Sequence, residues 1–164
     1  SLYKNIYKII DNIFKYTNFD VILRPHPSNF ESSKVKLIAK KYLKNRRFFL
    51  DKSKNYFETY KHSCCLISDL SGTAYTYSLL VEKLVIFYSN YEKKLKALNY
   101  HKLNYFKDRE KVGYVVNNVK NLINIINNNK KLFTKRKKKQ NKLQKIFHIG
   151  FTKQRFEKVL NKIL

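Results

Sequence analysis

Two short segments combine residue types that bind and transfer phosphate. The first is Arg24-Pro25-His26-Pro27. An imidazole held between two prolines has a restricted direction, and it can donate a hydrogen bond to a phosphate oxygen or protonate a phosphate leaving group. Arg24 can add a two-pronged contact to the same anion. The second is Ser68-Asp69-Leu70-Ser71-Gly72-Thr73. Gly72 permits close backbone approach. If a helix begins there, the amides around Thr73 and Ala74 are unpaired donors flanked by the Ser71 and Thr73 hydroxyls. Each segment has a plainer explanation as well. The first also reads as a proline-stiffened loop with a surface histidine, and the second as an ordinary helix N-cap formed by Ser71 or Asp69. The glycine and lysine spacing of a P-loop or a dinucleotide fingerprint is missing.

Other candidate groups carry less. Cys64 and Cys65 are adjacent in an apolar run without CxxC or histidine-rich spacing, so they are expected to be buried small hydrophobes rather than zinc ligands or a disulfide. His62 precedes an apolar strand and reads as structural or half-exposed, while His101 and His148 have no partner residues nearby in sequence. Asp69 and Glu82 lack the pattern of a glycosidase carboxylate pair. The Tyr-rich stretch 88–105 contains rings that could stack a base or sugar, although Tyr is plentiful throughout.

The elements that must position the two segments follow from periodicity. Ile6, Ile9, Ile10 and Ile13 predict an amphipathic helix over 3–16, and Val21-Ile22-Leu23 a short buried strand stopped by the prolines. A helix over 31–45, a strand at Phe48-Phe49-Leu50, a helical turn around 54–62 and a strand from Cys64 to Ser68 follow. Next come a helix to about Val81 and an apolar strand from Leu84 to Tyr88. Strands apolar on both faces and alternating with helices indicate a parallel sheet covered on both sides. A long polar loop is expected over Ser89–Lys111, then a fifth strand from Gly113 to Val116 and a helix carrying Val119, Leu122, Ile123 and Ile126. The expected class is α/β, a Rossmann-like doubly wound parallel sheet of about five strands over 1–129. A basic helical C-terminal tail over 130–164 is expected to pack back through Phe156, Val159, Leu160 and Ile163. In such a sheet, ligands bind at the carboxyl ends of the strands, where both segments lie.

The chain has 164 residues and a net charge of +25, from 36 Lys and Arg against 11 Asp and Glu. Apolar residues at 43 % and aromatics at 15 % suffice for a core and exclude a disordered chain. No apolar run approaches a membrane span. Lys, Asn, Ile, Tyr and Phe, all with AT-rich codons, make up more than half the chain, so codon bias accounts for part of the charge. No Met occurs, so Ser1 is expected not to be a native start, with the chain either processed or a piece of a longer protein.

Together, the RPHP strand end, the Asp69–Thr73 junction before an aliphatic helix, and the Lys83–Tyr88 strand resemble the C-terminal, nucleotide-donor half of the CDP-glycerol glycerophosphotransferase-type enzymes. These GT-B-fold transferases build teichoic acids and related capsular polymers. The resemblance covers about residues 18–128, and the closing helix with Phe151 and Thr152 suits the family. Leu70 stands in place of an aromatic, Gly72-Thr73 in place of a second Ser, and Leu84 in place of a proline. These departures widen the implied class to GT-B enzymes with CMP- or CDP-linked donors, sialyltransferase-like ones included. The resemblance implies His26 as the catalytic group, and Arg24, His26, Ser71, Gly72 and Thr73 as donor-phosphate ligands. Asp69 and Tyr88 become further donor contacts, with no metal and no cofactor. It also implies a glycerol-phosphate or sugar group passed to a cell-surface polymer or lipid-linked acceptor. The setting would be cytoplasmic, at the inner face of the plasma membrane, with Lys135, Arg136, Lys137, Lys138 and Lys139 against anionic lipid. The missing N-terminal half would bind the acceptor. The charge leaves two alternatives: a nucleic-acid-binding module, which lacks RNP-type or zinc motifs here, and a non-catalytic peripheral membrane domain.

Overall fold

The isoleucine stripe folds as expected into α1 (Leu2–Tyr16), which buries Ile9, Ile10 and Ile13. A computed structural model describes residues 2–132, 134 and 135. After α1 come β1 (Val21–Leu23), a 3₁₀ turn at Pro27–Asn29, α2 (Ser33–Tyr42), β2 (Phe48–Leu50), α3 (Tyr56–His62) and β3 (Cys65–Ser68). Then follow α4 (Thr73–Leu80), β4 (Leu84–Tyr88), α5 (Glu92–Ala97), a 3₁₀ turn at Tyr100–Lys102, α6 (Asn104–Lys107), α7 (Arg109–Val112), β5 (Gly113–Val116) and α8 (Val119–Asn127). The residues proposed to fasten the tail, Phe156, Val159, Leu160 and Ile163, lie outside the described residues.

All five strands pair in parallel, in two ladders: β1 with β2, and β3-β4-β5 with β4 in the centre. The chain is therefore α/β as expected, but the ladder hydrogen bonds do not run continuously through all five strands. Val21 links the two parts, packing against both the β1–β2 core and the β3–β5 core. Every residue of β4 is buried. Leu84, Ile86 and Tyr88 face α1 and α8 through Ile9, Ile13, Leu122 and Ile126. Val85 and Phe87 face the other way, onto Tyr60, Ala74, Tyr77 and Val112 of α3, α4 and α7. A parallel strand apolar on both faces needs this double cover.

The connection after β4 is not the irregular loop expected over 89–111. Short helices form there because Leu95, Phe106 and Val112 recur as buried anchors. A forked ion pair joins the segment's two ends. Arg109 Nη1 and Nη2 donate to Glu92 Oε1 and Oε2 at 3.0 and 2.9 Å, and Nε donates to Phe106 O. The guanidinium also lies 3.7 Å from the Phe106 ring centroid. Burial pushes the Glu92 carboxyl up, but the hydrogen bonds and charge of Arg109 outweigh it and hold the group below its ordinary value.

Arg47 plays a similar part under α1. Its Nη1 donates to Phe14 O in the last turn of α1 at 3.1 Å, and its Nη2 to Thr17 O at 2.8 Å and to Phe19 O in the loop that follows. The face of the β1–β2 ladder away from α1 and α2 carries the register partners Ile22 and Phe49, which remain 40 % and 50 % exposed.

Gly113 opens β5 opposite Val85 in extended backbone. A Cβ there would sit 2.6 Å from Val85 O and 2.9 Å from Phe87 Cε2. The glycine sets how closely β5 approaches β4. Gly113→Ala is therefore expected to cost about 1–3 kcal/mol, read as a lower midpoint in urea unfolding with an unchanged slope.

Candidate active site

The route from α1 into β1 fixes which end of the molecule holds the two motifs. The C-terminal end of α1 feeds β1, and Val21 and Leu23 pack back along Ile6, Ile10 and Phe14. The N-terminal turn of α1 therefore lies toward the exit of β1. The phenol of Tyr3, in that first turn, is raised by burial and then by the charge of Asp69 at the exit of β3. The exits of β1 and β3 thus lie at the same end, as the resemblance requires.

At the β1 exit, Pro25 is buried and His26 exposed. Pro27 opens a 3₁₀ turn, and His26 caps it: the Ser28 amide donates to Nδ1 at 3.3 Å, with Ser28 Oγ 2.7 Å from the same nitrogen. A backbone amide can only donate, so Nδ1 carries the lone pair and the proton of the neutral ring sits on Nε2. The cap fixes the ring and leaves the Nε2–H for an external acceptor. The proline-stiffened loop and the histidine donor are thus one device.

Arg24 does something other than expected. Its Nη1 donates to Asp51 Oδ2 at 2.6 Å and to Ser53 Oγ at 3.1 Å, and its Nη2 to Ser53 O at 2.7 Å. The guanidinium is spent on tying the β1 exit to the β2 exit. Asp51 extends the clamp by accepting from the Ser53 amide at 2.8 Å and from the Thr59 hydroxyl of α3. Burial would raise the Asp51 carboxyl, but the bonds from Thr59, Ser53 and Arg24 outweigh it and hold the group far below the usual carboxylate range. Lys52 adds a tether, donating to Glu31 in the loop beyond His26 at 2.7 Å.

At the β3 exit, the Ser71 and Thr73 hydroxyls lie 2.8 Å apart. Gly72 is the N-cap of α4 and makes no side-chain cap. The Ala74 amide is not free, because it closes a turn onto Ser71 O at 3.2 Å, and Tyr75 bonds Gly72 O. Among the described residues the amides of Gly72 and Thr73 have no hydrogen-bond partner, so the donors lie one residue earlier than expected. Gly72 has ordinary helical dihedrals, and a Cβ added there would meet no atom within 4 Å. The fold does not need a glycine at this position, and the space above it is open.

Asp69 is half-buried. Its charge acts on Tyr3 and on Tyr91, whose phenols burial and Asp69 both raise. Tyr88, expected as a donor contact, is instead a core residue at 2 % exposure among Ile9, Ile86 and Leu122. No hydrogen bond links His26 to Ser71 or Thr73 among the described residues, so any bridge between the two motifs would be a ligand. The sequence reading missed Asp51, Ser53 and Thr59, Tyr3 and Tyr91. Asp51 carried a usable signal, since it directly follows a strand as Arg24 does.

The expectation of two buried cysteines changes. Cys64 is exposed and Cys65 only half-buried, because the strand begins at Cys65. Lys83 lies at the far end of the sheet, where it donates to Ser63 O at 2.7 Å and to Lys61 O at the end of α3. Of the basic run, Lys135 is described and exposed; Arg136, Lys137, Lys138 and Lys139 lie outside the described residues. No helix among the described residues is long and apolar enough to cross a membrane.

The clamp makes a specific prediction. Asp51→Ala removes the carboxylate that Arg24 and Thr59 both bond, leaving Arg24 only Ser53, and should cost about 1–3 kcal/mol at pH 7. Because folding depresses the Asp51 carboxyl, its contribution is complete above the unfolded value near 4 and declines as pH falls below it. Urea unfolding at pH 7 and pH 3 should show the gap between parent and variant narrowing in acid. A constant gap would exclude the carboxylate as its source.

A family profile described as CDP-Glycerol:Poly(glycerophosphate) glycerophosphotransferase matches residues 7–164. No curated protein and no solved structure matches the chain. The matched span contains both strand-end motifs, and the chain belongs to the CDP-glycerol:poly(glycerophosphate) glycerophosphotransferase family.

Proposed function

We propose that this chain is the donor-binding part of a GT-B-type transferase of the glycerol-phosphate class. It takes a CDP- or CMP-linked donor and passes a glycerol-phosphate or sugar group to a cell-surface polymer or lipid-linked acceptor. The observation that carries this reading is the β3 exit, where the amides of Gly72 and Thr73 have no partner among the described residues, the Ser71 and Thr73 hydroxyls lie 2.8 Å apart, and a Cβ on Gly72 would meet no atom within 4 Å. The donor's phosphates would sit there, at the positive end of α4. The capped His26 would present its Nε2–H to the phosphate that becomes the leaving group. Charge developing on the leaving nucleotide would be met by the imidazole and the α4 amides. Asp69 would orient donor hydroxyls. Arg24 contributes by fixing the His26 turn through Asp51 rather than by touching phosphate.

In the same reading, residues 1–129 form the donor unit, 130–164 are its basic extension, and acceptor binding and the general base come from a second α/β half. The extension would hold the enzyme at the inner face of the plasma membrane. Sedimentation with vesicles containing anionic lipid should then capture the full chain and lose it when Lys135–Lys139 are replaced by Gln. Capture unchanged by those replacements would remove the membrane assignment.

Calorimetry with CDP-glycerol, CMP and UDP tests the donor site. Binding of a cytidine nucleotide is expected, weakened about tenfold or more by His26→Ala, roughly 1.4 kcal/mol. Gly72→Ala should leave the melting temperature unchanged or raised, since its Cβ meets nothing of the protein, yet weaken the same binding. Absence of binding by any pyrimidine nucleotide, or binding indifferent to both substitutions, would overturn the proposal.

A further inference from the structure

Cys64 and Cys65 sit at the amino end of β3, the opposite end of the sheet from the candidate site. Their sulfurs are 3.9 Å apart, within hydrogen-bonding distance for sulfur. Cys64 is exposed, while Cys65 is half-buried at the first register position of β3, opposite Leu84. A concavity of about 350 Å³ opens beside Cys64, lined by His62, Ser63, Lys83, Leu84, Asn129 and Lys130. Two of these are lysines, so an anion formed on the exposed sulfur faces positive charge. The two thiols differ accordingly. Cys65's hydrogen bond holds the Cys64 thiol below its ordinary value against the opposing effect of burial, and the Lys83 charge helps. The bond to Cys64 and burial push Cys65 up. The exposed sulfur is thus biased toward the thiolate, and its half-buried neighbour toward the thiol.

We propose that Cys64 and Cys65 form a peroxide-reactive pair that closes reversibly into a disulfide between neighbouring residues. The Cys64 thiolate attacks the terminal oxygen of a hydroperoxide. An S–O bond forms, the O–O bond breaks, and the peroxide leaves as alkoxide or hydroxide and is protonated, giving a Cys64 sulfenic acid. The Cys65 sulfur then attacks the Cys64 sulfur. The S–S bond forms, the S–O bond breaks, and hydroxide departs with the Cys65 proton as water. The two thiols lose two electrons, and the peroxide gains them.

Adjacent Cα atoms are held about 3.8 Å apart, short of the roughly 4.4 Å at which unstrained disulfides begin. Such a bond is strained and readily reduced, which makes the change reversible by a thiol. The strain falls on the Cys64–Cys65 peptide, between Ser63, whose carbonyl accepts from Lys83, and the first ladder pair of β3.

The full chain is treated with one equivalent of hydrogen peroxide at pH 7, digested with trypsin, and the His62–Lys83 peptide weighed. The expected product is lighter by two hydrogens and recovers its mass with dithiothreitol. In Cys65→Ser, dimedone should trap a sulfenic acid on Cys64. In Cys64→Ser, peroxide consumption should fall at least tenfold. The parent chain provides a reading that does not depend on variants folding: iodoacetamide should alkylate Cys64 at least fivefold faster in the folded chain than in urea. Equal rates in the two states, disulfides only between chains, or a sulfenic acid trapped on Cys65 would each overturn the proposal.

Discussion

Residues Leu84 to Tyr88 form a strand in which every residue is buried, and this constraint organises everything around it. Because β4 is parallel to both neighbours and apolar on both faces, a helix layer must cover each side. α1 and α8 supply one, and α3, α4 and α7 the other. Each crossover then returns the chain to the same starting edge, so the loops that leave the strands gather at the opposite edge. His26, Ser71 and Thr73 belong to those exits.

Much of the fold was legible because the core is written in strong periodic signals. The α1 stripe, the apolar Leu84–Tyr88 run and the α8 stripe each name their own element, and the bounds expected for the first two agree with the structure to within about a residue. The stretch 89–111 was illegible for a physical reason. Its helices are four to six residues long, too short to show a period, and rest on isolated anchors such as Leu95 and on the long-range pair Arg109–Glu92. The cysteines were misjudged by one residue of register: the strand starts at Cys65, so Cys64 stands outside its apolar run.

The candidate site was legible in its location and in part in its chemistry. Strand ends are marked by proline, glycine and hydroxyl residues, which is how His26 and Ser71–Thr73 stood out. Side-chain partners are not marked, so Arg24 looked like a phosphate ligand until Asp51 and Ser53 were seen to hold it. A subtler signal was present. In a chain with 30 Lys and 6 Arg, the arginines at 24, 47 and 109 each use several nitrogens at once on fixed acceptors, a geometry an ammonium cannot reproduce. Against a lysine-rich background, these three arginines mark junctions of the fold.

The face of the β1–β2 ladder that the described residues leave exposed has a consequence for how copies of this chain behave together. Ile22 and Phe49 stand side by side in register on that face, and β2 pairs with only one strand among the described residues. An apolar face next to a free strand edge invites edge-to-edge association. The +25 net charge opposes it by keeping chains apart, and does so regardless of any polyanion. That repulsion reaches only about 10 Å at 0.1 M salt and less above it. The colloidal stability of this protein therefore rests on ionic strength: the salt that weakens its attraction to anionic surfaces also removes its protection against self-association.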